Sequence, residues 1–167
     1  NTLIFRPDGK IHADNTDGYG FIAKAGDMVS RLKGGKAFMS LDEGDVPLAP
    51  KVIPDAASAV ACLTEGARLL VFGLDEMKIL SKGGTGVKLI DLEGKDKLLA
   101  VQPITQRGVV VSGIGRASKP QEASLGATAL ADHFGKLHKN VLKRIESLDC
   151  SPEFSRLNFE PAEYIDT

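Results

Sequence analysis

Tryptophan is absent and aromatic residues make up only 5% of the 167-residue chain, so no large aromatic core is available to organise it. Cysteine is nearly as scarce. Cys62 and Cys150 lie far apart and match no metal-ligand spacing, the pattern of two reduced thiols in a cytoplasmic protein. The three histidines, His12, His133 and His138, are too few and too scattered for a zinc site, and no metal or other cofactor is expected. No apolar run approaches the roughly 18 residues that span a bilayer, so no membrane contact is expected either. The opening Asn1-Thr2-Leu3-Ile4 is unlike a secretory signal, and without an initial Met the chain is expected to be a fragment or an engineered piece.

Charge of one sign is also lacking. The net charge is −1, which gives the whole chain no strong attraction to nucleic acid, so any such binding must come from a local basic face. Catalytic patterns are missing too. No Ser-His-Asp or Cys-His set occurs at a useful spacing, and Gly83-Gly84-Thr85-Gly86 lacks the Lys-Ser/Thr pair of a phosphate-binding P-loop. The neighbouring carboxylates Asp42 and Glu43 read as turn residues rather than a glycosidase pair. The chain is therefore expected not to be an enzyme on its own.

What is present suits many short strands. Hydrophobic content of 43% and charged content of 26% are enough for a packed core, and 18 glycines supply turns. An internal repeat decides the architecture. Thr16-Asp17-Gly18-Tyr19-Gly20-Phe21-Ile22 answers to Thr64-Glu65-Gly66-Ala67-Arg68-Leu69-Leu70. Ser30-Arg31-Leu32-Lys33-Gly34-Gly35 answers to Ile79-Leu80-Ser81-Lys82-Gly83-Gly84, and Lys36–Leu41 to Val87–Leu92. Each unit closes on a Pro-bearing β-type segment, Pro50–Ile53 and Val101–Ile104. The period of about 48 to 51 residues is the size of a propeller blade.

Within the second unit, Val60–Leu63, a Thr-Glu-Gly turn and Arg68–Phe72 read as a hairpin. Val87–Leu92 alternates like a half-buried strand, and Leu98–Val101 follows after a polar turn. A third unit begins at Gly108–Gly113 and is expected to stop there. After Lys119 the spacing of Leu130, Phe134, Leu137, Val141, Ile145 and Leu148 is helical, with a break near Gly135 to His138, so two short helices are expected. Ser151 to Thr167 reads as a tail.

The repeat carries a resemblance. Asp17–Phe21, Arg31–Phe38 and Ser81–Ile90 together resemble the C-terminal domain of the A subunit of topoisomerase IV, over about residues 16–119. The resemblance implies a β-pinwheel, a disc of four-stranded blades whose basic rim binds and bends DNA. It implies double-stranded DNA as partner, through its phosphate backbone, together with the rest of a topoisomerase heterotetramer. The chain would be an accessory module of an ATP-dependent DNA topoisomerase, without the tyrosine-bearing breakage domain.

A wrapping rim needs cations spaced along it, each displacing phosphate counterions. Lys33 and Lys82 precede the Gly pairs at matching points of the two units, with Arg31, Lys36, Lys78 and Lys88 nearby. These six are the expected DNA-binding residues. Ordinary solvated charge, with the Gly pairs as turns, is the plainer alternative. From Asp17 to Lys119 there are 14 Lys or Arg against 12 Asp or Glu, so weak or auxiliary binding is expected. The acids Asp42, Glu43, Asp45, Asp91, Glu93 and Asp96 fall in turns, which leaves room for the signs to separate by face. A glutamine-arginine-rich box of the kind that marks the related gyrase domain is absent.

The two ends resemble other families. Asn1–Lys10 running into Asp14–Gly18 resembles shikimate dehydrogenase, whose substrate contacts would fall on Asn1 and Asp17, although that family's catalytic lysine and nucleotide-binding domain are missing. A hairpin turned by Pro7-Asp8-Gly9 is the structural alternative. Thr128–Ile145 with Cys150–Phe154 resembles Rha-type phage regulatory proteins, with Lys136, Lys139, Lys143 and Arg144 forming a basic helix. The expected fold is thus mainly β, an incomplete β-pinwheel with a short helical C-terminal element. Its parts are an N-terminal hairpin or extension (1–15), blades (16–119), a helical element (120–150) and a tail (151–167). The alternatives are a composite or structural chain without activity, and a phage-type DNA-associated regulator working through its C-terminal helices.

Overall fold

The hairpins written into the repeat seed three sheets. The structure is a computed structural model and describes residues 10–14, 18–105, 107–114, 118–136, 143–145 and 158–161. In the first sheet, β1 (Lys10–Asp14) and β2 (Tyr19–Lys24) form the hairpin and β3 (Lys51–Val52) flanks β1. In the second, β4 (Ala59–Thr64) and β5 (Arg68–Gly73) form the hairpin. The two strands between them in chain order and the next hairpin are β6 (Val87–Lys88) and β7 (Leu98–Ile104), and β7 flanks β4. In the third, β8 (Gly108–Ile114) pairs with β9 (Pro120–Gly126), and a late strand flanks β8. The Pro-bearing segments thus do the same job in both units, each lying outside its hairpin's first strand.

The fourth strand of a sheet comes from the following unit, which the sequence did not suggest. β6 belongs by sequence to the second unit but pairs with β2 of the first sheet, Lys88 opposite Tyr19. β10 (Lys143–Arg144) belongs to the third unit and pairs with β5 of the second sheet, Arg144 opposite Arg68. A crossing contact precedes each. Ile22 N–H donates to Lys78 O at 2.8 Å and Leu80 N–H to Ile22 O at 2.9 Å. Likewise Val71 N–H donates to His133 O at 3.0 Å and Gly135 N–H to Val71 O at 2.8 Å. The second unit's hairpin turn uses Ala67 at φ 58°, a left-handed residue at the place where the first uses Gly18 at φ 87°.

The core lies between sheets. All six residues of β4 are buried, so both of its faces are covered, which is why its sequence is a continuous apolar run. One face (Ala61, Leu63, Leu69, Val71) packs toward Val109, Val111, Ala123, Leu130 and Ile145 of the third unit. The other (Val60, Cys62, Leu70, Phe72) packs toward Ile22, Met77, Leu89, Ile90 and Val101. Each fully buried Leu or Phe side chain stabilises by about 1.5–3 kcal/mol. A smaller cluster joins Phe21 and Ala23 to Met28, Phe38, Met39 and Leu80 on the far side of the first sheet. Buried His133 is accommodated because its Nδ1 donates to Leu69 O at 3.2 Å.

Several expectations are corrected. The third unit continues past Lys119, because Pro120–Gly126 is strand rather than helix. Only Ala123 of β9 is buried, which leaves the strand almost no apolar signal. The helical spacing after Leu130 is accidental over the described residues. Helix α1 (Ala127–Ala131) has five residues, Phe134 bridges to Val71, and β10 is extended. Leu130 and Ile145 reach the same core from different elements, so their helical spacing signals a shared face of the sheet stack. Leu137, Val141 and Leu148 lie outside the described residues. Part of the expected tail is β11 (Asn158–Pro161), the late strand beside β8. The N-terminal stretch to residue 15 supplies β1, an integral strand of the first sheet; the Pro7-Asp8-Gly9 turn, Asn1 and Asp17 lie outside the described residues.

Candidate nucleic-acid interface

The expected basic residues sit on the segments that cross between units. After the 3-10 turn Ala25–Met28, residues 31 to 37 are all exposed, and they carry Arg31, Lys33 and Lys36. The matching segment after the 3-10 turn Leu74–Glu76 carries exposed Lys78 and Lys82. The two segments meet. Gly84 N–H donates to Phe38 O at 2.9 Å and Ser40 N–H to Gly84 O at 3.0 Å, which sets the backbone near Lys36 beside that near Lys82. Lys36 Nζ lies 5.3 Å from the centre of the Phe38 ring, a cation–π contact that orders its stem. Phe38 in turn packs on Phe21, with ring centres 6.1 Å apart.

The Gly pairs differ in use. Gly83, at φ +72°, is pressed against Phe38, whose carbonyl leaves no room for a Cβ. Gly34 and Gly35 have nothing within 4 Å. Close approach is thus the reason for glycine in the second unit, and turn geometry at Gly35 (φ +74°) in the first.

Electrostatics divide the six. Among the described residues, Arg31, Lys33, Lys36, Lys78 and Lys82 make no ion pair, so their charge is available to a phosphate. Lys88 is different. It is half-buried on β6 and its ammonium is bonded to Asp91, whose hydrogen bond holds the lysine above its ordinary range despite some desolvation. Arg68 is held up in the same way by Glu93, with Asp96 adding to the attraction. Asp96 is otherwise occupied, its Oδ1 accepting from Gly66 N–H and Lys97 N–H at 3.0 Å each. The acidic turn of the second unit therefore neutralises Arg68 of the second sheet and Lys88 of the first, while the crossing segments keep their cations.

The sequence reading assigned one basic position to the wrong kind of element. Arg144 stands in register opposite Arg68 as Lys88 stands opposite Tyr19, so it is the third unit's counterpart of Lys88. Its signal was hidden by reading Lys143 and Arg144 as part of a helix. Lys136 is exposed just after the Phe134 bridge, and Lys139 lies outside the described residues. Among the described residues no group of three or more His, Cys, Asp or Glu could hold a metal, and no helix is long and apolar enough to cross a membrane.

No family model matches the chain. Comparison with solved structures gives the C-terminal domain of Escherichia coli ParC at a TM-score of 0.77 and 24% identity, covering 95% of this chain and 63% of that one. The DNA gyrase A C-terminal domain superposes at 0.61 and 14% identity, over 81% of this chain and 42% of that one. The fold is therefore a β-pinwheel of the class found in the C-terminal domains of type IIA topoisomerase A subunits. Within that class the kinship in sequence is with the A subunit of DNA topoisomerase 4. The Neisseria gonorrhoeae protein is 30% identical over 137 residues, covering 78% of this chain, and the Haemophilus influenzae protein is 40% identical over 75 residues, covering 45% of it. The chain spans 17% of the length of the first relative and 10% of the second. This likeness runs beyond residues 16–119, and nothing in these matches supports a likeness of the ends to shikimate dehydrogenase or to Rha-type regulators.

Proposed function

We propose that the chain is a non-catalytic DNA-binding module that holds a duplex segment along its edge, within a longer type IIA topoisomerase A subunit. Its partners are the phosphate backbone of double-stranded DNA and the remaining subunits of the topoisomerase heterotetramer. The observation that carries the proposal is the repeated, exposed and unpaired placement of Lys33 and Lys82 on crossing segments that lie side by side. Arg31, Lys36 and Lys78 extend the same strip. Lys88 is a weaker member because Asp91 already holds it, and Arg144 takes the corresponding place one sheet further on.

Binding is sequence-indifferent in this reading, since phosphate contacts position a protein without specifying a base. The near-zero net charge makes it auxiliary rather than tight. The test is fluorescence anisotropy with duplexes of about 20 and about 100 base pairs across a salt series, where log affinity falls with log salt by roughly 0.9 per phosphate neutralised. Tighter binding to the longer duplex, weakened by Lys33→Glu with Lys82→Glu, is the expected result. Flat anisotropy at low salt would overturn the proposal.

A further inference from the structure

We propose that Ile79 and Phe134 are apolar anchors for DNA, resting against the deoxyribose faces of a duplex that the neighbouring lysines hold by its phosphates. The inference rests on the DNA-binding reading and adds to it a share of affinity that salt does not weaken. It starts from the crossing contact, made twice inside the chain with one geometry. Ile79 lies between Lys78 and Leu80, whose backbones bond Ile22, and bridges to Ile22. Phe134 lies between His133 and Gly135, whose backbones bond Val71, and bridges to Val71. The two side chains therefore hold the same place at successive joints between sheets. Both are open to water, Ile79 at 51% and Phe134 at 46% exposure.

An apolar side chain exposed singly is ordinary; one exposed twice at the same structural position asks for a partner. Ile79 belongs to the middle unit, with sheets on both sides of it, and stays half open, so its exposure is a property of the joint. Other side chains at the crossings turn inward. Leu80 packs on the cluster around Phe21, and His133 is buried with its ring bonded to Leu69 O. The bridging side chain alone is apolar and left on the surface at both joints. Ser30, which answers to Ile79 in the first unit, is polar, so the anchors belong to the second and third units.

Charge says what covers them. Exposed Lys78 and Lys82 flank Ile79, and exposed Lys136 follows Phe134 by two residues. A single apolar side chain among cations suits a DNA backbone, where each charged phosphate is followed by a sugar with an apolar C–H face. A phosphate drawn to Lys78 or Lys82 brings its sugars to the side chain between them. Sugar contacts carry no base preference, in keeping with sequence-indifferent binding. They also offset the small surplus of cations, 14 against 12 acids from Asp17 to Lys119. Apolar burial is favourable without any counterion release, whereas every phosphate contact weakens as salt rises.

The test is anisotropy of the 167-residue chain on a duplex of about 100 base pairs across a salt series, comparing slope with offset. Ile79→Gln and Phe134→Gln remove the apolar surface, Ile79→Leu and Phe134→Leu keep it, and Lys82→Gln removes a charge. Circular dichroism and a urea melt check each fold; if Phe134→Gln does not fold, Ile79→Gln, on a side chain already half in water, decides the matter. Each Gln variant is expected to bind about three- to tenfold more weakly at every salt concentration, on a line parallel to the parent's. The Leu variants should stay on the parent's line, and Lys82→Gln should flatten it by up to about 0.9 in slope. Folded Gln variants that stay on the parent's line would overturn the proposal and leave both side chains to a protein surface. A loss seen as a change of slope, or shared equally by the Leu variants, would overturn it too. A parent that binds no duplex even at low salt would instead remove the DNA-binding reading beneath it.

Discussion

A Cβ placed on Gly83 would stand 1.9 Å from the carbonyl oxygen of Phe38, in a residue whose φ is +72°. Both facts forbid a side chain, one through space and one through the backbone. Gly83→Ala is therefore expected to destabilise by roughly 3 kcal/mol, the upper end of what a strained backbone site costs. Gly35→Ala shares the left-handed φ of +74° but meets open space. It should lose only about 1 kcal/mol. Urea midpoints of the two variants measure the difference, and equal losses would mean that the crossing contact is not tight.

Phe72 is fully buried between the first and second sheets, in the cluster with Ile22, Leu89 and Ile90. Truncation to alanine should cost about 3–5 kcal/mol. Because the cluster draws residues from two units, the whole transition should shift as one in a urea melt followed by two probes. Separate transitions would show that the sheets fold independently.

Asp91 and a DNA phosphate compete for the Lys88 ammonium if the basic strip binds duplex, since Asp91 already holds it. Asp91→Asn should tighten DNA binding and steepen the salt dependence by up to about one unit of slope. Lys88→Met should then weaken the Asp91→Asn variant more than the parent. Anisotropy titrations of the four proteins check the cycle, and no coupling would place Lys88 off the DNA path.

The same pair sets a pH dependence. The hydrogen bond to Asp91 is the main cause that raises Lys88 above its ordinary value, with burial opposing and the Asp91 charge adding to it. A raised folded-state value means that the charged form is favoured in the fold. The stabilisation is complete below the unfolded pKa of about 10.4 and disappears as pH climbs through the higher folded value. The stability difference between the parent and Lys88→Met should be flat from about pH 7 to pH 9 and shrink above about pH 10.4. Urea melts across that range measure it, and a difference that already falls below pH 9 would contradict the sign.

The hairpins were legible because their apolar runs are bounded by turns. Val60–Leu63 and Arg68–Phe72 became β4 and β5, and the Pro-bearing segments became the flanking strands β3 and β7. Strand lending was not legible, since Val87–Lys88 carries the pattern of a strand but nothing that says which sheet it enters. The third unit was lost for two physical reasons. β9 has one buried residue, so it lacks an alternating signal, and Leu130 and Ile145 imitate helix spacing while filling one β core. At the basic strip, Lys33 and Lys82 were found by their repeat position. The Lys88–Asp91 pair was not, because a residue pair three apart can meet or miss each other according to the turn that follows.

Lending a strand backward has a consequence for how such a chain can grow. The sequence period and the sheet boundaries are out of phase: a stretch of chain that starts one hairpin also carries the closing strand for the sheet before it. A duplicated genetic segment of one period therefore arrives with both halves of the joint, one edge to receive and one strand to give. It can be spliced between existing units without any new contact having to evolve. A deletion of one period heals in the same way, whereas a cut at a sheet boundary strands a donor on one fragment and a bare edge on the other.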